Sequence, residues 1–517
     1  MHRLVKSLFQ LLQSAAPFSL LLTCAALASV DLPAEALKIN PENSKYFVYR
    51  GKPLVLLSAS EHYGSVINRP FDFEKYLTDA AEHKMTMTRT FLLFRELQSA
   101  RNPSSPCKPE SPDYIAPYLR AGPGKALDGE PTYDLDRWNP EYFERLHRFL
   151  QVASDKGIVV ELTLFSNTYA ENIWALNPLR DENNLQHVGR VEWEEYTTLK
   201  EPELVRRQLE YARKILEATA SFDNVYYEIC NEPGGGVAGH ASPAEVDAWQ
   251  KTIAETVRSE MARLKSPHLI AGQQAFTYSP KFLFPQDGSF ANPIFDIVNN
   301  HPLPDTQFNN RPYQLGHFMS KELMLSELAQ FCRAAYSEKK PLVLDEDNTA
   351  SMYRDFTGWT IHRKRAWTAL LNGSHYDYID FSLTVHSEAG TPDSRRQIRS
   401  WMQHLSEFMQ SFDYVHSLPS VNWVKNVPEP LVASGLSAAN RDFVLYVADA
   451  REAGNPDAGH PIAASVTLTL PPGEYTLNLY SPVSGQYSPG IKLEGGGEKI
   501  LPLPAFEHDI VVRATRN

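Results

Sequence analysis

From residue 46 to residue 385, short apolar runs alternate with longer segments whose apolar positions recur every three to four residues. The first pattern is that of buried parallel strands and the second that of helices packed on one face. Eight strands are predicted, at 54–60, 85–93, 158–165, 225–231, 269–273, 294–301, 342–346 and 378–383. Helices are predicted at 72–83, 141–156, 202–219, 242–264, 321–337 and 360–371, the fourth opened by the capping box Ser242-Pro243-Ala244-Glu245. Alternation at this count predicts an α/β fold, a closed (β/α)8 TIM barrel, although pattern alone also permits a doubly wound open sheet.

Beyond about residue 412 the helical period disappears. Segments 443–447, 464–470, 475–480 and 508–513 alternate apolar and polar positions between Pro and Gly turns, which predicts a small antiparallel β-sandwich. The 517 residues therefore divide into a leader at 1–28, a barrel at 37–412 and a sandwich at 413–517. The sandwich is expected to pack on the barrel rather than to act as an independent binding module.

Residues 1–28 carry a basic start (His2, Arg3, Lys6), an apolar stretch to Leu22, and the small-x-small triplet Ala26-Leu27-Ala28, the pattern of a secretory signal. Cleavage is expected after Ala28, with Ala36 as the second choice, and the location is secreted or periplasmic. Gln10, Gln13, Ser14 and Pro17 interrupt the run and argue against a membrane anchor. No membrane association is expected once the signal is removed.

The net charge of −12 becomes −14 when Arg3 and Lys6 leave with the signal. Binding a phosphate backbone needs clustered Lys and Arg, and this chain has no such stripe, so nucleic acid is excluded as a partner. A polyanionic substrate would also be repelled at long range, which favours a neutral one. Three widely spaced cysteines outside the signal, Cys107, Cys230 and Cys332, make no disulfide framework. Gly234 to Gly239 formally match G-x-G-x-x-G but lie between a strand end and a distant helix cap, so they read as a loop rather than a dinucleotide cradle.

The chemistry resides at two strand ends. Val225-Tyr226-Tyr227-Glu228-Ile229-Cys230-Asn231-Glu232-Pro233 stops abruptly in Asn-Glu-Pro, and 114 residues after Glu232 comes Glu346, within Leu342-Val343-Leu344-Asp345-Glu346-Asp347. A buried strand has no structural use for an unpaired carboxylate, because desolvating one is costly. Two acids at strand ends of one barrel suggest glycosidic bond cleavage. Glu228 lies four residues, about 13 Å, deeper along its strand than Glu232 and is too deep to reach substrate. Among Asp345, Glu346 and Asp347, strand parity does not choose.

These segments resemble the fourth and seventh strands of clan A retaining glycoside hydrolases, the cellulase-like barrels. The resemblance spans residues 46–411 and implies that Glu232 is the general acid/base and Glu346 the nucleophile, the latter selected by its offset from Pro341, with Asp345 as the alternative. It further implies that Arg89, in Met85-Thr86-Met87-Thr88-Arg89-Thr90, lowers the pKa of the nucleophile, and that Asn231 binds the sugar 2-hydroxyl. The all-β tail resembles the collagen-binding-like accessory domains that follow several such barrels. The chain departs from the clan pattern two residues after His301, where Leu303 replaces a common tyrosine, so the hydrogen bond that steadies the nucleophile must come from elsewhere, Tyr63 or His301, or be missing.

Polar residues at other strand ends complete the expected sugar rim: Glu61, His62, Tyr63, Asn300 and His301, with Gln273 and Gln274 nearby. Insertions at 99–136 and 167–199 carry Tyr114, Tyr118, Trp174 and Trp193, which suit sugar stacking and loop packing equally. No cofactor and no metal site are expected, and oligomeric state is not legible. The expected activity is retaining cleavage of a β-linked poly- or oligosaccharide by double displacement. A noncatalytic carbohydrate-binding barrel and a transglycosylase using the same pair are the alternatives.

Overall fold

The computed structural model describes residues 36–95, 105–107, 111–235, 241–277, 287–303, 306–316, 324–347, 355–383, 390–438 and 441–517. The expected leader at 1–28 and, of the glycine-rich segment, Gly236 and Gly239 lie outside the described residues.

Eight parallel strands form one sheet: β1 Leu57–Ser60, β2 Met87–Phe91, β3 Val159–Ser166, β4 Val225–Asn231, β5 Ile270–Gly272, β6 Ile297–Asn299, β7 Leu342–Asp347 and β8 His375–Ile379. Neighbours in space run β1-β8-β7-β6-β5-β4-β3-β2. The ends of this series meet: the amide of Thr86 donates to Leu57 O at 3.0 Å, and that of Phe91 to His62 O at 2.9 Å. The sheet is therefore a closed ring, and the open-sheet alternative falls. Among the described residues seven helices of ten residues or more surround it: α1 Phe73–Glu82, α2 Pro140–Asp155, α3 Pro202–Thr219, α4 Pro243–Leu264, α5 Leu325–Tyr336, α6 Phe356–Leu370 and α7 Pro392–Gln410. Among the described residues no helix joins β5 to β6, and none is long and apolar enough to cross a membrane.

Two corrections concern the last βα unit. The eighth strand is His375–Ile379 rather than 378–383. His375 and Asp377 look unsuited to a buried strand, yet the main chain satisfies both: the Leu56 amide donates to His375 Nδ1 at 2.9 Å, and the Ser60 amide to Asp377 at 3.1 Å. Helix α7, not foreseen from the pattern, begins at a capping box built on Thr391 and Ser394. The first insertion also forms an unforeseen antiparallel hairpin, Tyr118–Lys125 with Pro131–Trp138.

Inward-facing side chains fill the ring in layers, because alternate residues of a strand share a face. The lowest layer is apolar, with Leu56, Met87, Val159, Tyr226, Ile297 and Val343 in one buried cluster that Leu37, Phe47 and Tyr49 close from beneath. Two residues further along the strands come Arg89, Glu161, Glu228, Asn299, Asp345 and Asp377, an ionic layer buried at the level just below the mouth.

The C-terminal residues form two antiparallel sheets. The larger contains β9 Leu431–Ser437, β10 Asp442–Asp449, β11 Glu474–Ser481 and β12 Asp509–Arg516 in the order β9-β10-β12-β11; the smaller joins Val424–Asn426, Ser465–Leu468 and Lys499–Pro502. Strand β10 is buried on both faces. Phe443, Leu445 and Val447 enter the core between the sheets, while Val444, Tyr446 and Ala448 join the core of the barrel.

Candidate active site

Glu232 follows β4 and is held in the left-handed region at φ +44°. The Tyr169 hydroxyl donates to its Oε2 at 2.8 Å, and His301 Nδ1 lies 2.9 Å from its Oε1. Glu346 sits near the end of β7, 257 residues from Arg89 in sequence, yet Arg89 NH1 donates to its Oε2 at 2.6 Å. His62 Nδ1 lies 3.3 Å from that same oxygen, and His62 Nε2 lies 3.0 Å from Asp377. Carboxyl oxygens of Glu232 and Glu346 and a ring nitrogen of His301 come within 4.8 Å of one another. Both carboxylates are nearly buried, at 11% and 6% side-chain exposure.

The three acids of β7 occupy different surroundings. Pairing between β7 and β8 shifts register between Leu344 and Asp347. Such a bulge breaks the simple alternation of faces, and it lets Asp345 and Glu346 both face Arg89. Asp345 lies in the ionic layer with no exposure, while Asp347 is turned toward α6, where Arg365 Nε donates to it. Glu346 alone of the three faces Glu232 at the mouth.

Arg89 organises the layer beneath. Its Nε and NH2 donate to Glu228 at 3.1 and 2.7 Å, and NH2 donates to Asn231 Oδ1 at 2.8 Å. Glu161, across the ring, accepts from the Tyr226 hydroxyl at 2.7 Å and from the Asn299 amide. Burial, together with the neighbouring carboxylates Asp345 and Glu228, pushes Glu161 well above the usual carboxylate range. Glu228 is also raised by burial, against the pull of Arg89. The opposite holds at the mouth. Burial would raise Glu346, but the charges of His301, His62 and Arg89 outweigh it and hold its carboxyl well below the ordinary range. Burial would lower His301, but Asp345, Glu346 and Glu232 carry it well above an ordinary histidine. One carboxylate is thereby kept ionised while a proton is held beside the other.

Two trios could each present three ligand atoms to an ion: Glu232, His301 and Glu346, and below them Glu161, Glu228 and Asp345. The lower trio already surrounds a cation, since Arg89 lies 4.0, 2.7 and 3.4 Å from its members.

Of the residues expected from sequence, Glu232, Glu346, Arg89, Asn231, His301 and His62 converge on this centre. Three do not. Glu61 is fully buried and its carboxylate accepts from the amides of Tyr63, Gly64 and Ser65, so it shapes its own loop. Tyr63 packs its ring edge-on against Phe91 at 4.8 Å between centroids. Asn300 falls between two inward residues, Asn299, which reaches Glu161, and His301, which reaches Glu232, so alternation puts it on the outer face. The contacts that steady Glu346 come from Arg89 and His62 rather than from a hydroxyl after His301. Tyr169, Glu161 and Asp377 escaped the sequence reading; of these only Tyr169 had a usable signal, its place just after the third strand. Tyr114, Tyr118 and Trp174 of the insertions are buried in loop packing. Cys230 is buried too, and desolvation pushes its thiol well up, which is unsuited to a nucleophile.

Comparison with known proteins now has a geometry to meet. One solved structure described as a glycoside hydrolase aligns over 93% of this chain and 97% of its own at TM-score 0.59 and 12% identity. A family 5 glycoside hydrolase from Bacteroides vulgatus ATCC 8482 aligns over 93% of both chains at TM-score 0.57 and 12% identity. The chain shares the fold of these two structures. The likeness covers nearly all of both molecules and therefore takes in the all-β part. A family described as a domain of unknown function (DUF6298) matches residues 107–237, a segment that includes Glu232 but not Glu346. No curated protein matches the chain in sequence.

Proposed function

We propose that the chain is a retaining β-glycoside hydrolase that cleaves a neutral poly- or oligosaccharide. The observation that carries this reading is the approach of Glu232 and Glu346 to within 4.8 Å across the mouth of the ring. Retaining enzymes place their carboxyl groups about 5 to 5.5 Å apart, whereas inverting ones need roughly 6.5 to 9.5 Å to admit a water.

In the first step Glu346 attacks the anomeric carbon. Arg89 and His62 both engage Oε2, which leaves Oε1 to form the glycosyl ester. Glu232 gives its proton to the departing glycosidic oxygen, and the Tyr169 hydroxyl and His301 Nδ1, each one hydrogen bond away, orient its carboxyl. In the second step Glu232 takes a proton from water, which attacks the same carbon and releases Glu346. Asn231, fixed by Arg89 on its oxygen and by Tyr169 on its nitrogen, is placed to meet the sugar 2-hydroxyl, a contact that strengthens as positive charge develops on the ring.

The test is a panel of aryl β-glycosides, followed by inactivation with a 2-fluoro glycoside and peptide mass mapping. The expected result is turnover and a covalent sugar on the peptide containing Glu346. Binding without turnover would indicate a carbohydrate-binding barrel, and products longer than the substrate would indicate transglycosylation. A label on Asp345 would reassign the nucleophile.

A further inference from the structure

Helix α6 carries three consecutive cations, Arg363, Lys364 and Arg365, none of them exposed. Every residue from Thr360 to Leu370 is buried. A barrel helix ordinarily turns its outer face to water; here the sandwich covers it. Arg363 makes a paired contact with Asp509 of β12, Nε and NH2 each donating at 2.9 Å, and the Tyr446 hydroxyl donates to the same carboxylate at 2.9 Å. Lys364 donates to the carbonyl of Asp449 at 2.9 Å and is paired with Glu452. Trp367 stacks on Tyr446 at 5.5 Å between ring centroids.

Successive helical residues are turned by about 100°, so Arg365 points away from the sandwich and into the barrel. There its Nε donates to Asp347, the residue after Glu346 and the far end of the bulge that turns Glu346 toward Glu232. The chain of contacts Asp509–Arg363, about half a turn of α6, and Arg365–Asp347 thus runs from the sandwich to the residue beside the proposed nucleophile.

We propose that the C-terminal sandwich is a positioning part of the active site, which through α6 holds Asp347 and so fixes the bulge that presents Glu346. This rests on the glycosidase reading for its consequence but not for its mechanics. Asp347 and Asp509 are positioning residues and touch no substrate.

The experiment uses the full chain with Asp509→Asn, Asp347→Asn and both together, and Tyr446→Phe as the milder change should Asp509→Asn not fold. Hydrogen exchange of the peptide spanning 342–347 is the readout independent of activity. The expectation is about fivefold or faster exchange there in Asp509→Asn, with the β3 peptide unchanged. The rate of covalent labelling by the 2-fluoro glycoside should fall about tenfold at similar KM. The double variant should lose no more than the worse single variant, because both act through one connection. Unaltered exchange at 342–347 in a folded Asp509→Asn or Tyr446→Phe chain overturns the proposal, and so do additive losses. Failure of the unsubstituted chain to take the label overturns the glycosidase reading instead and leaves the exchange result to decide this one.

Discussion

Tyr169 and Glu232 both occupy the left-handed backbone region, at φ +62° and +44°, and the hydroxyl of the first donates to Oε2 of the second at 2.8 Å. For residues with a Cβ this conformation costs of order 1 kcal/mol or more and persists where surrounding structure imposes it, often at functional sites. The two strained residues hold each other, and Asn231 Nδ2 donates to the same Tyr169 oxygen at 2.7 Å. Tyr169→Phe should leave the fold intact and lower kcat/KM by about tenfold, the worth of roughly one hydrogen bond to a charged group. The loss should grow as the aryl leaving group becomes poorer, since only then is protonation by Glu232 limiting. Equal losses across the aryl series would show that Tyr169 does not serve the acid.

Removing either carboxylate should be far more damaging. Glu346→Gln is expected to reduce kcat by about a thousandfold or more for every substrate, and Glu232→Gln by a factor of about 10² to 10⁴ that shrinks for good leaving groups. Steady-state kinetics over a leaving-group series distinguishes the two roles, and identical profiles for the two variants would contradict the assignment.

Arg89→Lys removes a donor from Glu346 Oε2 and much of the grip on Glu228 and Asn231. The low pKa of Glu346 owes something to this guanidinium, after His301 and His62. Activity on the acid side falls as that carboxylate takes up a proton, so weakening the guanidinium should move the acid limb of the kcat/KM profile upward, by roughly one pH unit. A limb that stays in place would mean that Arg89 serves geometry alone.

Glu452 gives a stability prediction. Burial pushes its carboxyl up to about 7, against the pull of Lys364. A group whose folded pKa is raised contributes stability that is full below its unfolded value, near 4.5, and is lost as pH rises through about 7. Glu452→Gln, which does not titrate, should therefore flatten the change in unfolding free energy between pH 4.5 and 7 by roughly 3 kcal/mol relative to the parent. Denaturant titrations at several pH values make the comparison, and parallel pH curves for the two proteins would refute it.

Much of this site was legible along the chain. The abrupt Asn231-Glu232 ending and the acid cluster closing β7 each stand out because ionisable groups do not otherwise belong in such runs, and Arg89 was found through the family resemblance of its strand. Glu161 was hidden for the same reason in reverse. A single glutamate in Val159–Ser166 has no visible partner, and its donors, Tyr226 and Asn299, lie 65 and 138 residues away. Asn300 and Glu61 were misplaced because a polar residue at a strand end looks the same whether it faces the mouth, the outer layer or its own turn.

The period of apolar residues along the chain located most strands and helices and the change to antiparallel sheet, since burial of one face leaves a local record, but it missed helix α7 and the hairpin of the first insertion and placed the eighth strand too late. It also marked which strands end in acids. Closure of the ring, the turning of Glu346 rather than its two acidic neighbours toward Glu232, and the seating of the sandwich on α6 were decided only in three dimensions. Each depends on a register or a charge pairing between segments far apart in sequence: Thr86 with Leu57, the bulge of β7 against β8, and Arg363 with Asp509. Local patterns carry no trace of such pairings, because a hydrogen bond or an ion pair is specified by both partners at once.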